Sequence, residues 1–152
     1  MTYEMDEQAT PELLRALPSR MLSQVAMYAD RLAGERLGAA DARKWHYAAL
    51  VALRASGPAS QAELSRRTGV YRSDMVAVVN ELEERGHVER APDPADRRRN
   101  VITMTDSGRR HLERLDELIA GLQDDLLAPL TGPEREQFSA LLARLLAHHS
   151  RA

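Results

Sequence analysis

Residues 60–105 leave this chain fewer ways to fold than any other stretch. They read SQAELSRRTGVYRSDMVAVVNELEERGHVERAPDPADRRRNVITMT. Ser60-x-x-Glu63 has capping-box spacing, in which a hydroxyl and a carboxylate satisfy each other's backbone N–H groups, so a helix is predicted from Gln61. Leu64 is its core residue. Thr68-Gly69 ends it, since glycine accepts the left-handed backbone that a sharp turn between helices often needs. A second helix is predicted over about residues 72–85. Met75, Val78, Val79 and Leu82 form its apolar stripe, with Ser73, Ala77, Asn80 and Glu84 opposite and Val76 beside them. Gly86 stops that helix. Residues 87–90 and 100–104 then alternate as short β-branched strands around the loop APDPADRRR.

A short helix, a tight turn and a longer helix form a helix-turn-helix, and the hairpin after it forms a wing. In such a unit the second helix enters the major groove N-terminus first. Bulk charge does not support nucleic-acid binding: the whole chain carries −2, and residues 60–105 hold eight arginines and eight acids. Placement is more informative. Arg72 stands at the start of the second helix, whereas Glu81, Glu83 and Glu84 crowd its end and would repel phosphate. Only the first two turns can approach DNA, where the helix dipole also favours phosphate. The candidate reading face is Arg72, Ser73, Val76, Ala77 and Asn80. Arginine reads guanine, asparagine reads adenine, and small apolar groups touch a thymine methyl. The plainer alternatives are that Arg72 holds phosphate only and that Asn80 lies out of reach.

The wing loop is stiffened by two prolines and an alanine, and Arg97, Arg98 and Arg99 project from its end. Such arginines suit the narrow, electronegative minor groove. Asp96 is placed to orient Arg98 through an ion pair.

The remaining segments read as helices that hold this unit. Thr10-Pro11-Glu12 is a start signal, and Pro18 predicts a break or kink. Ser19 is a candidate cap for a helix through about Gly34, with Met21, Val25, Tyr28 and Leu32 on one face. Asp41 is a candidate cap for a helix ending before Gly57-Pro58. That helix is apolar nearly all round, so it is expected between the outer helices and the helix-turn-helix. Trp45 and His46 on it are candidate ligand-cavity residues; the alternative is that Trp45 is plain core and His46 a satisfied histidine. Thr105 caps a long helix from Asp106 to about Leu127. Its Leu112, Leu115, Ile119, Leu122 and Leu126 repeat like a heptad seam, which calls for a partner helix. Thr131-x-x-Glu134 opens a last helix with Phe138, Leu141, Leu142, Leu145 and Leu146 on its apolar side. These leucines exceed the needs of one small core, so N- and C-terminal helices are expected to pack across a two-fold axis. The expected fold is mainly α: a helix-turn-helix lobe over residues 41–105 with a two-stranded β wing, plus dimerisation helices over 10–38 and 106–150, all in one domain over 1–152.

Several function classes drop out. There is no cysteine, hence no disulfide, thiolate metal site or thiol-based peroxide sensing. No histidine has metal-ligand spacing, so no metal or cofactor is expected. No paired carboxylates, Ser-His-Asp arrangement or phosphate loop suggests an enzyme. No apolar run reaches membrane length, and the acidic N-terminus lacks the apolar region of a signal peptide, so a cytoplasmic protein is expected.

Taken together, several strings resemble the MarR family of transcriptional regulators. They are Ala62-Glu63-Leu64-Ser65, Asn80-Glu81-Leu82-Glu83-Glu84-Arg85-Gly86, Val88-Glu89-Arg90, Asp93-Pro94-Ala95-Asp96-Arg97-Arg98 and Ile102-Thr103-Met104-Thr105-Asp106-Ser107-Gly108. The resemblance implies a homodimer on a pseudo-palindromic operator, with the second helix in the major groove and the wing in the minor groove. The family's Asp-x-Arg wing motif falls on Asp96 and Arg98, which makes Arg98 the first candidate for minor-groove insertion. It also implies a repressor, released by a small aromatic or anionic ligand bound between the dimer helices and the lobe. Tyr71 departs from the family, whose members often carry Asp or Ser there. The competing reading is a winged helix that binds protein rather than specific DNA.

Overall fold

The computed structural model describes residues 8–151. Seven helices and one hairpin follow in the order α1 (Glu12–Arg15), α2 (Pro18–Gly38), α3 (Lys44–Ser56), α4 (Gln61–Thr68), α5 (Arg72–Glu84), β1 (Val88–Pro92), β2 (Asn100–Met104), α6 (Asp106–Leu126) and α7 (Gly132–His149). The fold is mainly helical, with a two-stranded antiparallel wing. No helix among the described residues is long and apolar enough to cross a membrane.

Helix starts follow local chemistry, though not always at the expected residue. Pro11 rather than Thr10 stands at the cap of α1. The break that Pro18 predicts is present: α1 ends at Arg15 and α2 begins at Pro18 itself, whose fixed φ suits the first helical position and whose missing N–H is not needed there. Ser19 therefore lies inside α2, and the helix continues past Gly34 to Gly38. Asp41 is not a cap either. It takes a left-handed φ of 55° that closes the end of α2, where the Ala42 N–H reaches back to the Leu37 carbonyl at 2.9 Å. Helix α3 starts at Lys44, where Nδ1 of His46 accepts the backbone N–H of Arg43 at 2.9 Å. Ser60, Thr105 and Thr131 each accept the N–H three residues on, as their spacing predicts. The Ser60 box is half made, because Glu63 turns away from it toward arginines.

The core gathers beneath the helix-turn-helix. Leu37, Ala49, Leu50, Leu53, Leu64, Met75, Val78, Val79, Leu82, Val88, Ile102, Leu112 and Leu115 are buried in one cluster. Helix α3 runs through its centre and touches α2, α4, α5, α6 and β2. The α5 stripe is buried as its spacing predicts. The wing pairs Val88 with Met104 and Pro92 with Asn100, so its first strand lies one residue later and runs longer than the sequence suggests. Ala59 adds a bridge to Ile102 from the loop before α4. The α6 seam is filled within the chain: Leu112, Leu115 and Leu122 are buried, and α6 packs along α2.

One close approach locks this arrangement. Gly108, in the first turn of α6, lies so near the end of α5 that a Cβ there would stand 2.1 Å from the His87 carbonyl oxygen and 2.9 Å from Met104 Cγ. The first contact is with backbone and cannot be relieved by a rotamer change. Gly108→Ala is expected to destabilise the protein by about 2 kcal/mol or more, the cost of overpacking without room to relax. Urea unfolding measures this; a midpoint equal to wild type would refute the close approach.

Candidate nucleic-acid interface

Helix α5 offers its outer face because its inner face is fully used. With Met75, Val78, Val79 and Leu82 in the core, Arg72, Ser73, Val76, Ala77 and Asn80 fall on the exposed side. Tyr71 occupies the cap position, makes no side-chain cap bond and is 80% exposed. Glu81, expected among the acids at the helix end, is drawn inward. Both its oxygens accept from Arg43 Nη2 at 2.7 Å, and Oε2 lies 2.5 Å from His46 Nε2. The Arg43 guanidinium, bonded to it, holds the Glu81 carboxyl below its usual range. This triad staples α5 to the start of α3. Glu83 and Glu84 remain exposed at the helix end.

His46 is thus a buried, satisfied histidine rather than a cavity residue. Its Nδ1 accepts a backbone N–H, so its Nε2 carries the proton donated to Glu81. Trp45 does face a hollow. That hollow measures about 400 Å³ and is lined by Lys44, Trp45, Ala48, Thr68, Gly69, Val70, Tyr71 and Asp74. It lies against the turn between α4 and α5.

The wing tip is a built turn. The Arg99 N–H donates to the Asp96 carbonyl at 3.0 Å, which puts Arg97 and Arg98 at the two corner positions. Oδ1 of Asp96 accepts the Arg98 N–H at 3.1 Å, and Oδ1 of Asp93 accepts the Ala95 N–H at 2.9 Å. Asp96 therefore orients Arg98 through its backbone amide, not through the expected ion pair. Arg97 and Arg98 are exposed, and neither has an acidic partner among the described residues. Arg99 does not project with them. Its guanidinium turns back to Ser60 Oγ at 3.1 Å and Glu63 Oε1 at 2.9 Å, tying the wing base to the cap of α4.

Two residues that the sequence did not single out also hold this surface. Arg43 anchors Glu81, as described. Arg90, on β1, donates to Oδ1 of Asn80 at 2.8 Å and lies 3.9 Å from Glu83. The strand alternation places Arg90 on the same side as Val88, facing α5, but a sequence gives no sign of which acceptor it meets.

Such a surface belongs to a winged helix-turn-helix protein, with one exposed helix face beside an arginine-tipped hairpin. Comparison with known proteins makes the class specific. The family model described as "MarR family" matches residues 42–99. The transcriptional repressor NicR of Pseudomonas putida is 32% identical over 100 residues, 66% of this chain and 63% of NicR. A probable transcriptional regulator from Pseudomonas aeruginosa is 32% identical, with a TM-score of 0.78 over 87% of this chain and 98% of that one. A mutant MarR from E. coli, complexed with operator DNA, is 25% identical with a TM-score of 0.75 over 90% and 99%. The PcaV regulator of Streptomyces coelicolor, in complex with its natural ligand, is 29% identical with a TM-score of 0.76 over 91% and 97%. The chain belongs to the MarR family of winged-helix transcriptional regulators, a family without enzymatic activity. Its matches span 55% and 63% of the first two curated relatives.

Burial holds His46, His87 and His111 below the ordinary imidazole pKa. The last two stack with their centroids 4.2 Å apart, where α6 begins. An imidazole kept neutral in the folded protein gains its proton first in the unfolded chain. Stability is therefore present above the unfolded value of about 6.5 and is lost as pH falls through it. The thermal midpoint is expected to drop between about pH 7.5 and pH 5.5, before the carboxylates contribute. A midpoint that stays level or rises over that interval would contradict these assignments.

Proposed function

We propose that this protein is a sequence-specific repressor that binds a pseudo-palindromic operator as a homodimer and is released by a small aromatic or anionic ligand. The observation that carries the reading is the pair Arg97 and Arg98. They are exposed at the corners of one turn, without an acidic partner among the described residues, and the first two turns of α5 add an exposed face on which Asp74 is the one acid. That a MarR of E. coli with the same fold forms a complex with operator DNA supports the DNA-binding reading. Arg72, Ser73, Val76, Ala77 and Asn80 would then meet the major groove, and Arg98, with Arg97, the minor groove. Arg99 has a supporting role only, through Ser60 and Glu63.

The dimer rests on α7. None of the residues of this 18-residue helix is buried, and Leu141, Leu145 and Leu146 are exposed beside Leu13, Leu14, Leu17, Met21, Leu22 and Val25. Between α2 and α7 runs an apolar groove of about 520 Å³. Helices of this kind gain stability by packing an apolar face, and monomers rarely expose so large a patch. A second copy covering it would set two wings and two reading helices at a fixed separation.

Arg98→Ala should weaken operator binding by at least about fivefold in a gel shift, while its melting curve stays at wild type. Binding should fall steeply with salt, and selected operators should show half-sites about 34–36 Å apart. An Arg98→Ala protein that binds as wild type does would remove the wing from the interface. Static light scattering should give twice the 17.0 kDa chain mass, and Leu141→Asp with Leu145→Asp should halve it.

Ligand release is assigned to the hollow beside Trp45, where Lys44 supplies a cation and Trp45 and Tyr71 supply aromatic walls. Trp45 is the only tryptophan, so its fluorescence reports the site directly. Aromatic carboxylates that release the operator should quench it. Release without quenching, or release unchanged by Trp45→Ala, would place the ligand elsewhere.

A further inference from the structure

Asn80 stands alone on the outer face of α5 as a carboxamide, and it is already engaged. Its side-chain oxygen accepts a hydrogen bond from Arg90 Nη2 at 2.8 Å. Arginine has no acceptor atom, so this contact identifies the amide corner without ambiguity: oxygen faces the strand. Oxygen and nitrogen occupy opposite corners of one plane. Holding the oxygen against β1 leaves the Nδ2 hydrogens as the outward corner.

Arg90 is held in turn. It is half-buried at the angle between α5 and β1, with Glu83 at 3.9 Å. Its Nε is buried and makes no hydrogen bond. Its register is fixed by pairing with Ile102, which is itself bridged to Ala59. Freeing the Asn80 oxygen would leave another guanidinium donor unmet in a partly buried place, so the contact is expensive to break.

Adenine is read by asparagine through two bonds at once, oxygen accepting from N6 and nitrogen donating to N7. An amide oxygen has a second lone pair, but with the first taken by Arg90 and the oxygen turned toward the strand, the edge that Asn80 presents outward is its pair of Nδ2 donors. Guanine presents two acceptors on that edge, O6 and N7, and no donor. We propose that Arg90 is a specificity-determining positioning residue: by holding the oxygen of Asn80, it makes Asn80 a donor-only reader that favours guanine over adenine. This rests on the operator-binding reading above and adds to it the identity of the base beneath Asn80. It also reverses the adenine preference that asparagine suggests on sequence grounds.

The test is selection of bound duplexes from a random pool by the full-length protein, followed by competition with single-base variants. The base position read by Asn80 is the one whose preference disappears in Asn80→Ala. At that position wild type should favour guanine over adenine by roughly tenfold, the scale of one bidentate contact. Arg90→Met keeps the aliphatic stem and removes the donors; it should move the preference to adenine there and leave other positions unchanged. Adenine selected by wild type at that position would overturn the proposal, and this holds even if Arg90→Met does not fold. So would an Arg90→Met protein with wild-type preferences and uniformly weaker binding, which would make Arg90 merely structural. Wild type retaining no duplex at all would take down the operator-binding reading and this one with it. Retention with an unaltered motif would overturn this one alone.

Discussion

The backbone crossing between the end of α5 and the start of α6 sets the position of everything on the outer side of the lobe. Gly86 turns the chain with φ 77°, and its carbonyl accepts the Thr105 hydroxyl at 2.6 Å. The Thr105 N–H donates to the His87 carbonyl at 3.1 Å, and the Thr105 oxygen accepts the Gly108 N–H at 3.0 Å. One threonine thus closes the hairpin and starts the next helix. Since side chains alternate along a strand, a slip of one residue would turn Arg90 away from Asn80 and Ile102 out of the core. The Gly108 contact leaves no space for such a slip. Helix α5 and the wing are therefore held in one register by the strand pairing, the Arg90–Asn80 bond and the Gly108 contact.

The neutral charge of this lobe acquires a spatial meaning. Of the eight arginines in residues 60–105, Arg67 and Arg99 meet Glu63, Arg85 meets Asp41 and Arg90 lies near Glu83. Arg66, Arg72, Arg97 and Arg98 have no acidic partner among the described residues, and all are exposed. On the acidic side, Glu81 is spent on Arg43 and His46, while Asp93 and Asp96 accept backbone amides. Charge that cancels in a sum does not cancel in space when the paired cations hold the scaffold and the unpaired ones stand at its tips. At exposed sites each pair adds little stability, so its main effect is on where side chains point.

Periodicity made much of this legible. The α5 stripe, the caps at Ser60, Thr105 and Thr131, the central place of α3 and the hairpin all follow from spacing and cap chemistry within a few residues. What escaped depends on contacts between distant segments. No local pattern tells that His46 will do a glutamate's work at the start of α3, because that use needs Glu81 from 35 residues away. Asp41 reads as a cap by residue type, yet its left-handed turn is fixed by the path from α2 and by Arg85. Glu63 matches a capping box, but the wing brings Arg99 within reach, and an ion pair there outcompetes a bond to its own helix. In the wing, three consecutive arginines look alike; only the turn shows that two face out and one faces in.

The same distinction bears on the outer helices. A leucine seam in α6 calls for a partner helix, and α2 of the same chain fills that role, with an Arg36–Asp125 ion pair alongside. The seam by itself therefore says nothing of a second subunit. The proposed dimer rests instead on what α2 and α6 leave over. Once α6 has covered one side of α2, the other side still shows Met21, Leu22 and Val25, and α7 faces them across an open groove with none of its residues buried. A helix whose start is fixed by both bonds of the Thr131–Glu134 box, yet whose leucines meet so little within its own chain, presents the apolar face on which the proposed second copy would pack.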